Sequence, residues 1–437
     1  MSEARRRWTL RLCLAAGFTT LIDQSVLTVA IPSLRSSLDA GPHAMQWVLA
    51  GYSFAFGLAL VPGGRLGDAH GRRRYFLAGL ALFTVTSVVA GTATDAWVVA
   101  GARLVQGLGA GLVNPQVLGL IQDEFRGSQR ARALGAYATV GGVAATIGPV
   151  LGGVLLALAG PDWGWRLIVL INVPFGVATF VLAARYLPRS PVRRRTALDT
   201  PGLALLGAVT LCVLLSVTSG AVWALGGVAL GVVLVGWERR AASPVLHPAL
   251  VRSRGFVAGT LVAAFNFGSV LALGLLVVVY LQEALGKSPL AAALTALPSA
   301  VAFGLTSLVS WRVLARFGPR MLRWATALGV VGALATLACA LWVPHASAFA
   351  ATQLMFGIAG GLVVSPNQAL TLRHAPAELA GLAAGFLQVA QRISAAVSLA
   401  VVSGLSIVPG VLFCVALLTG SLLAAFAVRD QELAASS

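Results

Sequence analysis

Long apolar runs cover most of this 437-residue chain, and short polar or glycine- and proline-containing breaks separate them. A helix needs about 20 apolar residues to cross the hydrocarbon core of a bilayer. Fourteen runs are close to that length or exceed it: 9–31, 46–64, 75–94, 97–121, 133–159, 166–187, 200–219, 222–237, 256–281, 290–311, 322–343, 348–371, 381–404 and 408–428. We therefore predict an all-α integral membrane protein with 14 transmembrane helices. A twelve-span alternative omits the runs 200–219 and 222–237, which only a very short turn separates.

The charged residues predict the orientation of these spans. Only 10% of the residues are charged, against about 25% in soluble domains. Lysine and arginine outside the spans fall almost entirely on the side of the N-terminus, and only Arg35, Arg166 and Lys287 fall on the other side. Because cytoplasmic loops carry the positive excess, we predict cytoplasmic N- and C-termini in a multi-pass protein of the cell inner (cytoplasmic) membrane. The net charge of +17 is then a topology signal, and we expect no nucleic-acid partner.

An internal repeat indicates two related halves. The segments QGLGAGLVNPQVLGLI (106–121) and FGIAGGLVVSPNQALTL (356–372) share a Gly-x-x-x-Gly spacing, a Leu-Val pair and a proline beside asparagine and glutamine. Parallel halves of this kind are typical of transporters. We therefore predict three domains: a six-helix bundle over 1–190, a linker with two inserted helices over 191–250, and a second six-helix bundle over 251–437.

Two opposite charges are predicted to lie deep in the bilayer. Asp23 interrupts the first run in LIDQSVLTVAIPSL (21–34), and Arg103 lies near the start of the fourth run, at a similar depth. Ionisable residues inside membranes are costly and mark ion pathways. Burial favours the neutral acid, whereas a nearby arginine favours the charged form. A carboxyl group between these influences could load and release protons. The alternative is a structural ion pair.

The segment GRLGDAHGRRR (64–74) forms the predicted turn between the second and third spans. Glycine can adopt turn conformations that other residues avoid, aspartate can cap the next helix, and arginine can face the anionic inner leaflet. A plain positively charged loop is the alternative. The candidate gating residues are Gly64, Asp68, Gly71, Arg72 and Arg73.

This loop resembles the signature loop of the major facilitator superfamily, Gly-x-Leu-x-Asp-basic-x-Gly-Arg-basic, although Ala69 stands where a basic residue is usual. The first run also resembles the first-helix motif of fourteen-span drug:proton antiporters, with Ile22 before Asp23. Arg103 begins an Arg-x-x-Gln-Gly sequence that is similar to the family's fourth-helix motif. The resemblance implies a major facilitator fold, proton coupling through Asp23 and Arg103, and a loop that latches the two halves.

The fifth run carries a small-residue pattern, GAYATVGGVAATIGPVLGG (135–153). Small residues let membrane helices approach closely. The pattern resembles the antiporter motif of drug exporters, Gly-x8-Gly-x3-Gly-Pro-x2-Gly, with Ala144 in place of the middle glycine. Ordinary glycine packing is the alternative interpretation. The matching residues are Gly135, Gly148, Pro149 and Gly152.

The resemblance implies a proton-coupled secondary exporter of amphiphilic drugs or antibiotics that works by alternating access. We expect a monomer in membrane lipid that needs no metal, no catalytic residue and no cofactor besides the proton gradient. Asp23 is the only deep carboxylate, whereas Arg103 and Arg392 are deep cations. We therefore expect neutral, weakly acidic or monocationic substrates rather than dications. The candidate cavity residues are polar or aromatic: Gln24, Trp47, Asn114, Tyr137, Asn266, Gln388 and Arg392.

Two other functions remain open at this point. An exporter of a lipid or an endogenous metabolite would share the fold and differ only in the lining of its cavity. A membrane-embedded enzyme is less favoured, because its catalytic residues would have to cluster at one face. The five histidines instead scatter over the loops without a paired motif.

Overall fold

A computed structural model describes residues 3–188, 199–241, 248–376 and 379–428, and these residues form helices without any strand. Fifteen helices follow one another along the described chain: α1 (Glu3–Ser37), α2 (Pro42–His70), α3 (Arg72–Thr92), α4 (Ala96–Glu124), α5 (Gly127–Leu170), α6 (Asn172–Tyr186), α7 (Thr200–Thr218), α8 (Val222–Glu238), α9 (Pro248–Arg252), α10 (Arg254–Glu283), α11 (Pro289–Phe317), α12 (Arg320–Trp342), α13 (Ala346–Arg373), α14 (Ala380–Val402) and α15 (Ile407–Ala427).

Twelve stretches of the described chain are long and apolar enough to cross a membrane. One of them, Arg132–Tyr186, has 55 residues, and a straight helix of that length would measure about 80 Å. The backbone leaves the helical region at Gly160, where φ is 76°. A Cβ atom on Gly164 would lie 2.7 Å from the Cα atom of Leu156, so the chain folds back on itself at Gly160. The helix Val222–Glu238 is shorter than these twelve. The count of 14 crossings and the orientation of the termini stay predictions.

The first six and last six long helical segments repeat one arrangement of neighbours. In the first group α1 packs against α5 and α6, while α4 packs against α2 and α3. In the second group α10 packs against α14 and α15, while α13 packs against α11 and α12. This repetition agrees with the parallel halves that the sequence predicts, and the domain limits stay predictions.

The two groups, called the first and second halves below, meet along two seams. One seam joins α2 to α14 and the other joins α5 to α11. Near the end that carries Arg35 and Glu283, these two side chains form an ion pair of 3.5 Å between the halves. Gln282 Nε2 also donates to the Val29 carbonyl at 3.1 Å. We call this the Glu283 end, and we call the opposite end, where α2 meets α3, the Gly71 end.

The apolar cores show where the halves are joined. The largest core cluster contains residues from both halves that approach the Glu283 end, such as Leu34 and Leu281. A second cluster lies wholly in the first half and includes Phe76 and Leu120. A third lies wholly in the second half and includes Leu322. The halves therefore share their largest core at the Glu283 end, while the clusters of Phe76 and of Leu322, toward the Gly71 end, each stay within one half.

Helix α7 packs across the α2–α14 seam. Leu206 packs against a cluster that contains Phe56 of α2 and Val389 of α14. Leu214 belongs to another cluster, together with residues of α2 and with Ala396 of α14. Helix α8 packs against α7 and leaves many large apolar side chains exposed.

Candidate functional site

The carboxylate of Asp23 lies in the interior of the first half and has three hydrogen-bond donors. Asp23 on α1 and Arg103 on α4 are each 2% exposed. Arg103 Nη1 donates to Asp23 Oδ2. Two side-chain amides donate to Asp23 Oδ1, Asn172 Nδ2 at 2.6 Å and Gln106 Nε2 at 3.2 Å. The predicted partners Asp23 and Arg103 therefore meet, as an ion pair that two amides complete.

Helix geometry places the donors around this carboxylate. Arg103 and Gln106 are three residues apart on α4 and therefore share one face, and Arg103 Nη1 also donates to Gln106 Oε1 at 2.7 Å. Gln106 Nε2 reaches Ser87 Oγ on α3 at 2.8 Å. The guanidinium of Arg103 lies 4.4 Å from the ring centre of Tyr52 on α2. Together with Asp23 of α1 and Asn172 of α6, side chains from five helices of the first half thus form the site.

Protonation of Asp23 would change these interactions at once. The neutral acid would lose its charge-assisted hydrogen bond with Arg103 and would leave that guanidinium without its counter-ion. A buried unpaired charge is unfavourable, so the side chains around Arg103 would have to rearrange. The role of this site in proton coupling stays a prediction.

The second deep cation, Arg392 on α14, reaches across to the first half. Its Nη1 atom donates to Gln24 Oε1 at 2.7 Å, and Gln24 Nε2 donates to Ser53 Oγ at 3.0 Å. The guanidinium carbon lies 4.0 Å from the ring centre of Phe56 and 5.4 Å from that of Phe267. Gln24 follows Asp23 directly in the chain, so the two charged sites are linked through α1.

Two small cavities adjoin these residues. The first lies between the halves and is lined by Gln24, Leu27, Thr28, Leu49, Tyr52, Arg103, Leu271, Leu275 and Leu399. The second lies in the second half and is lined by Ala263, Asn266, Phe267, Val363, Val364, Asn367, Gln368, Leu387 and Gln391. The cavity candidates Gln24 and Asn266 each line one of them.

The other cavity candidates line neither of these two cavities. Asn114 Nδ2 donates to the Tyr137 hydroxyl at 2.7 Å, and that bond joins α4 to α5. Trp47 packs against the core that the two halves share. Gln388 is half-buried on α14. A role in substrate binding stays a prediction for all seven cavity candidates.

The predicted turn at 64–74 is shorter than expected. Helix α2 continues to His70, so Gly64 is helical, and the expected turn conformation at Gly64 is wrong. Gly71 alone breaks the chain between α2 and α3, with φ at 98°. That value lies in the region that favours glycine. The equivalent break in the second half, between α11 and α12, is Gly318, with φ at 57°.

The charged residues of this segment bind to the first half. Asp68 does not cap α3, because the N-cap residue is Gly71, which has no side chain. Asp68 Oδ1 instead pairs with Arg72 Nη2 at 2.6 Å, and Arg72 Nε donates to Asp123 Oδ2 at 2.8 Å. Arg73 donates to the Ala184 carbonyl. These contacts tie α2, α3, α4 and α6 together, and the latch between halves stays a prediction.

Three of the four residues in the antiporter pattern lie where α5 approaches the interior. A Cβ atom on Gly152 would lie 2.8 Å from the Val26 carbonyl oxygen of α1, and one on Gly148 would collide with Ser25. Pro149 lies between them and is half-buried. Gly135 is exposed and has open space around it. Close packing of α5 on α1 thus accounts for Gly148 and Gly152 but not for Gly135.

Two partners of the predicted residues were missed. Asn172 binds the Asp23 carboxylate, and Asp123 binds Arg72. A signal for Asn172 exists in the sequence, because it is a strongly polar residue near the start of an apolar run. Asp123 follows an apolar run directly, so nothing distinguishes it from a solvent-exposed acid. In the described ranges, no group of three or more His, Cys, Asp or Glu residues could hold a metal ion.

The fold is similar to those of solved transporters. A POT family transporter in complex with a thioalcohol-conjugated peptide superimposes with a TM-score of 0.74 at 14% identity, and covers 95% of this chain and 94% of its own. The xylose transporter XylE from E. coli, in a partially occluded inward-open conformation, gives a TM-score of 0.69 at 15% identity, with 97% of each chain covered. At such identities these likenesses establish the fold alone.

Closer relatives are similar in sequence. The probable actinorhodin transporter of Streptomyces coelicolor is 33% identical over 92% of this chain and 72% of its own. The cephamycin export protein CmcT of Amycolatopsis lactamdurans is 34% identical over 90% of this chain and 83% of its own. The tetracenomycin C resistance and export protein of Streptomyces glaucescens is 31% identical over 91% of this chain and 75% of its own. All three are named as transporters or export proteins rather than as enzymes.

The sequence profile of the Major Facilitator Superfamily matches residues 13–399. That range includes the Asp23 site, the Gly71 break and most of both halves. The repeated helix arrangement, the solved transporters and the antibiotic exporters agree with this match. The chain therefore belongs to the Major Facilitator Superfamily and is a multi-pass transporter of the cell inner membrane.

Proposed function

We propose that this transporter is a proton-coupled antiporter that exports amphiphilic drugs or antibiotics by alternating access. It would cross the membrane 14 times and keep both termini in the cytoplasm. The named activities of its relatives support the substrate class, since actinorhodin, cephamycin and tetracenomycin C are small molecules that those proteins are named for transporting or exporting. The single observation that carries the coupling is the buried Asp23–Arg103 ion pair.

The proton gradient is sufficient to drive such export. One proton that moves inward across about 100 mV releases roughly 2.3 kcal/mol. Because about 1.4 kcal/mol corresponds to a tenfold ratio, one proton per cycle would sustain a gradient of roughly fortyfold. A chemical proton gradient would add to this.

The separate cores toward the Gly71 end support a rocking mechanism. The shared core and the Arg35–Glu283 pair hold the halves together at the Glu283 end, which this topology places outside the cell. Rocking of one half against the other would open the Glu283 end and close the Gly71 end. Release of the Arg103 guanidinium on protonation of Asp23 would supply the link between the proton and this motion.

The first test is the variant Asp23→Asn, which keeps the shape of the side chain and removes its charge. We expect the purified variant in proteoliposomes to fold but to lose accumulation of the neutral amphiphile N-phenyl-1-naphthylamine driven by an imposed pH difference. The control is Asp39→Asn, because Asp39 is exposed in the α1–α2 turn and its φ of 44° suits asparagine. Accumulation by Asp23→Asn that equals the wild type would contradict proton coupling through Asp23.

A second test addresses the substrates. Expression in an exporter-deficient bacterial strain should raise the tolerated concentrations of several amphiphilic antibiotics, and a protonophore should abolish the associated efflux of a fluorescent amphiphile. A transporter dedicated to a lipid or an endogenous metabolite would leave the whole panel unchanged. Efflux that persists with the protonophore would argue against the proton as the driving ion.

A further inference from the structure

The charges near the centre of the transporter do not balance. The ion pair of Asp23 and Arg103 is neutral as a whole. Arg392 adds a positive charge, and its one hydrogen-bond partner among the described residues is the neutral amide of Gln24. Between residues 284 and 429 the sequence contains a single aspartate or glutamate, Glu378, which lies fourteen positions before Arg392. Glu283 itself pairs with Arg35 at one end of the molecule. The central region thus carries one excess positive charge.

An excess charge in a membrane interior is unfavourable unless an anion compensates it. An arginine placed at the centre of a membrane helix is costly even on the mildest insertion scales. Arg392 packs over Phe56 at 4.0 Å, and this contact offsets only part of that cost. We propose that Arg392 binds a negatively charged group of the exported compound, and that the substrates therefore include monoanionic aromatic amphiphiles.

The guanidinium of Arg392 has N–H donors that could bind a negatively charged group. Arginine carries five N–H donors, and within the described chain Arg392 makes a single side-chain hydrogen bond, from Nη1 to Gln24. The residue is only half-buried, in contrast to Arg103, which is 2% exposed. Its Nε and Nη2 atoms are also not among the fully buried atoms that lack a partner. A planar carboxylate or sulfonate could therefore bind two of these donors side by side.

The surroundings of Arg392 indicate which other chemical groups a bound anionic compound would carry. Phe267 lies 5.4 Å from the guanidinium and also lines the cavity in the second half. The polar residues of that cavity are the four amides Asn266, Asn367, Gln368 and Gln391. A compound bound to Arg392 would thus place its aromatic part against Phe267 and its hydroxyl or carbonyl groups against amides. Dications would be repelled by the excess positive charge.

This inference rests on the proposed export function and specifies its substrate class. Its test uses two probes that share one aromatic skeleton. 8-Anilino-1-naphthalenesulfonate carries one permanent negative charge, and N-phenyl-1-naphthylamine is its neutral counterpart. Equilibrium binding to the purified protein is measured by fluorescence against detergent alone, so that no proton gradient enters the measurement.

We expect Arg392→Gln to raise the Kd of the anionic probe about tenfold or more, because charge-assisted hydrogen bonds are lost. The Kd of the neutral probe should change less than twofold. Arg392→Lys keeps the charge and should restore most of the affinity for the anion. Arg312→Gln is the control, because Arg312 is an exposed arginine near the end of α11.

Three results would overturn the inference. They are equal weakening of both probes by Arg392→Gln, unchanged binding of both probes, and tighter binding of the neutral probe than of the anion by the wild type. Size-exclusion profiles and apparent Tm values check that the variants are folded. If anion-selective binding is found but no pH difference drives transport in proteoliposomes, the proposed proton coupling fails while this inference holds.

Discussion

At the scale of single residues, the position of the Asp23 carboxylate is set by several helices at once. Oδ2 accepts from Arg103 of α4, while Oδ1 accepts from Gln106 of α4 and Asn172 of α6. Two of the donors are themselves held by further hydrogen bonds, since Gln106 also donates to Ser87 and Arg103 also donates to Gln106. Loss of any one of these donors would leave an oxygen of the buried carboxylate short of a hydrogen bond, which is costly in an interior of low dielectric constant.

Removing one charge of the Asp23–Arg103 ion pair should destabilise the protein more than removing both charges. Arg103→Gln leaves a buried carboxylate without its counter-ion, and removal of one partner of a buried pair typically costs about 3–5 kcal/mol. The double variant Asp23→Asn/Arg103→Gln has no charge to leave unpaired. We therefore expect a clearly lower apparent Tm for Arg103→Gln than for the double variant in thermal unfolding in detergent. The reverse order would mean that an unpaired carboxylate at Asp23 is not what destabilises Arg103→Gln.

The sequence is most informative about charged residues whose position inside an apolar run costs free energy. Asp23 and Arg103 could be predicted as partners because each is out of place in an apolar run and both lie at a similar depth. The contact of Asn172 with Asp23 depends on the rotation of α6 about its axis, which a continuous apolar run does not reveal. The capping role expected for Asp68 was wrong, because α2 extends to His70 and leaves no space for a longer turn.

At the scale of helices, the tight contact of α1 with α5 depends on glycine. The Cβ atom introduced by Gly152→Ala would lie 2.8 Å from a backbone oxygen of α1, which cannot rotate away. Overpacking of this kind costs about 1–3 kcal/mol, so we expect a lower apparent Tm and slower transport. Gly135→Ala is the matched control, since it adds the same atom to the same helix in open space. An equal loss in both variants would point to helix propensity or another general effect instead of packing.

The limits of the helices were harder to predict than their existence. Hydropathy predicts the first apolar run at 9–31, whereas helix α1 spans Glu3–Ser37. Hydropathy reports the segment that suits hydrocarbon, and a helix can continue through polar residues on both sides of it. Gly160 is a similar case: the sequence predicts two runs there, and only the backbone shows that a single residue at φ 76° reverses the chain.

At the scale of the whole molecule, the contacts at the Glu283 end should have to break during transport. Arg35 and Glu283 belong to different halves and are exposed. The double variant Arg35→Cys/Glu283→Cys, joined by a short bifunctional thiol reagent, should lose transport, because the halves can no longer separate there. A reducing agent that cleaves the linker should restore it. Transport that survives verified cross-linking would rule out opening at this end.

Controls for this experiment come from the same chain. Each single-cysteine variant, treated with the same reagent, should keep its transport rate. Three of the four native cysteines are buried and the fourth, Cys339, is half-buried, so their reaction with the reagent should be small. A loss of transport in a single variant would mean that the reagent blocks the protein without linking its halves.

The repeat in the sequence anticipated the arrangement of the halves but not how they touch. Similar segments at 106–121 and 356–372 predict equivalent helices, and α4 and α13 have equivalent neighbours. Contacts across the seams depend on helix faces whose residues need not be similar in the two halves. Arg392 is an example, because the bond from its guanidinium to Gln24 joins α14 of one half to α1 of the other.

The placement of α7 makes the two seams unequal. It packs across the junction of α2 and α14, and among the described helices no comparable element lies across the junction of α5 and α11. An apolar substrate that diffuses laterally within a leaflet would then find one seam covered by α7 and the other seam without such a cover. Entry of a substrate from the lipid phase would therefore favour the seam of α5 and α11, even though the two halves of the transporter are arranged with near twofold symmetry.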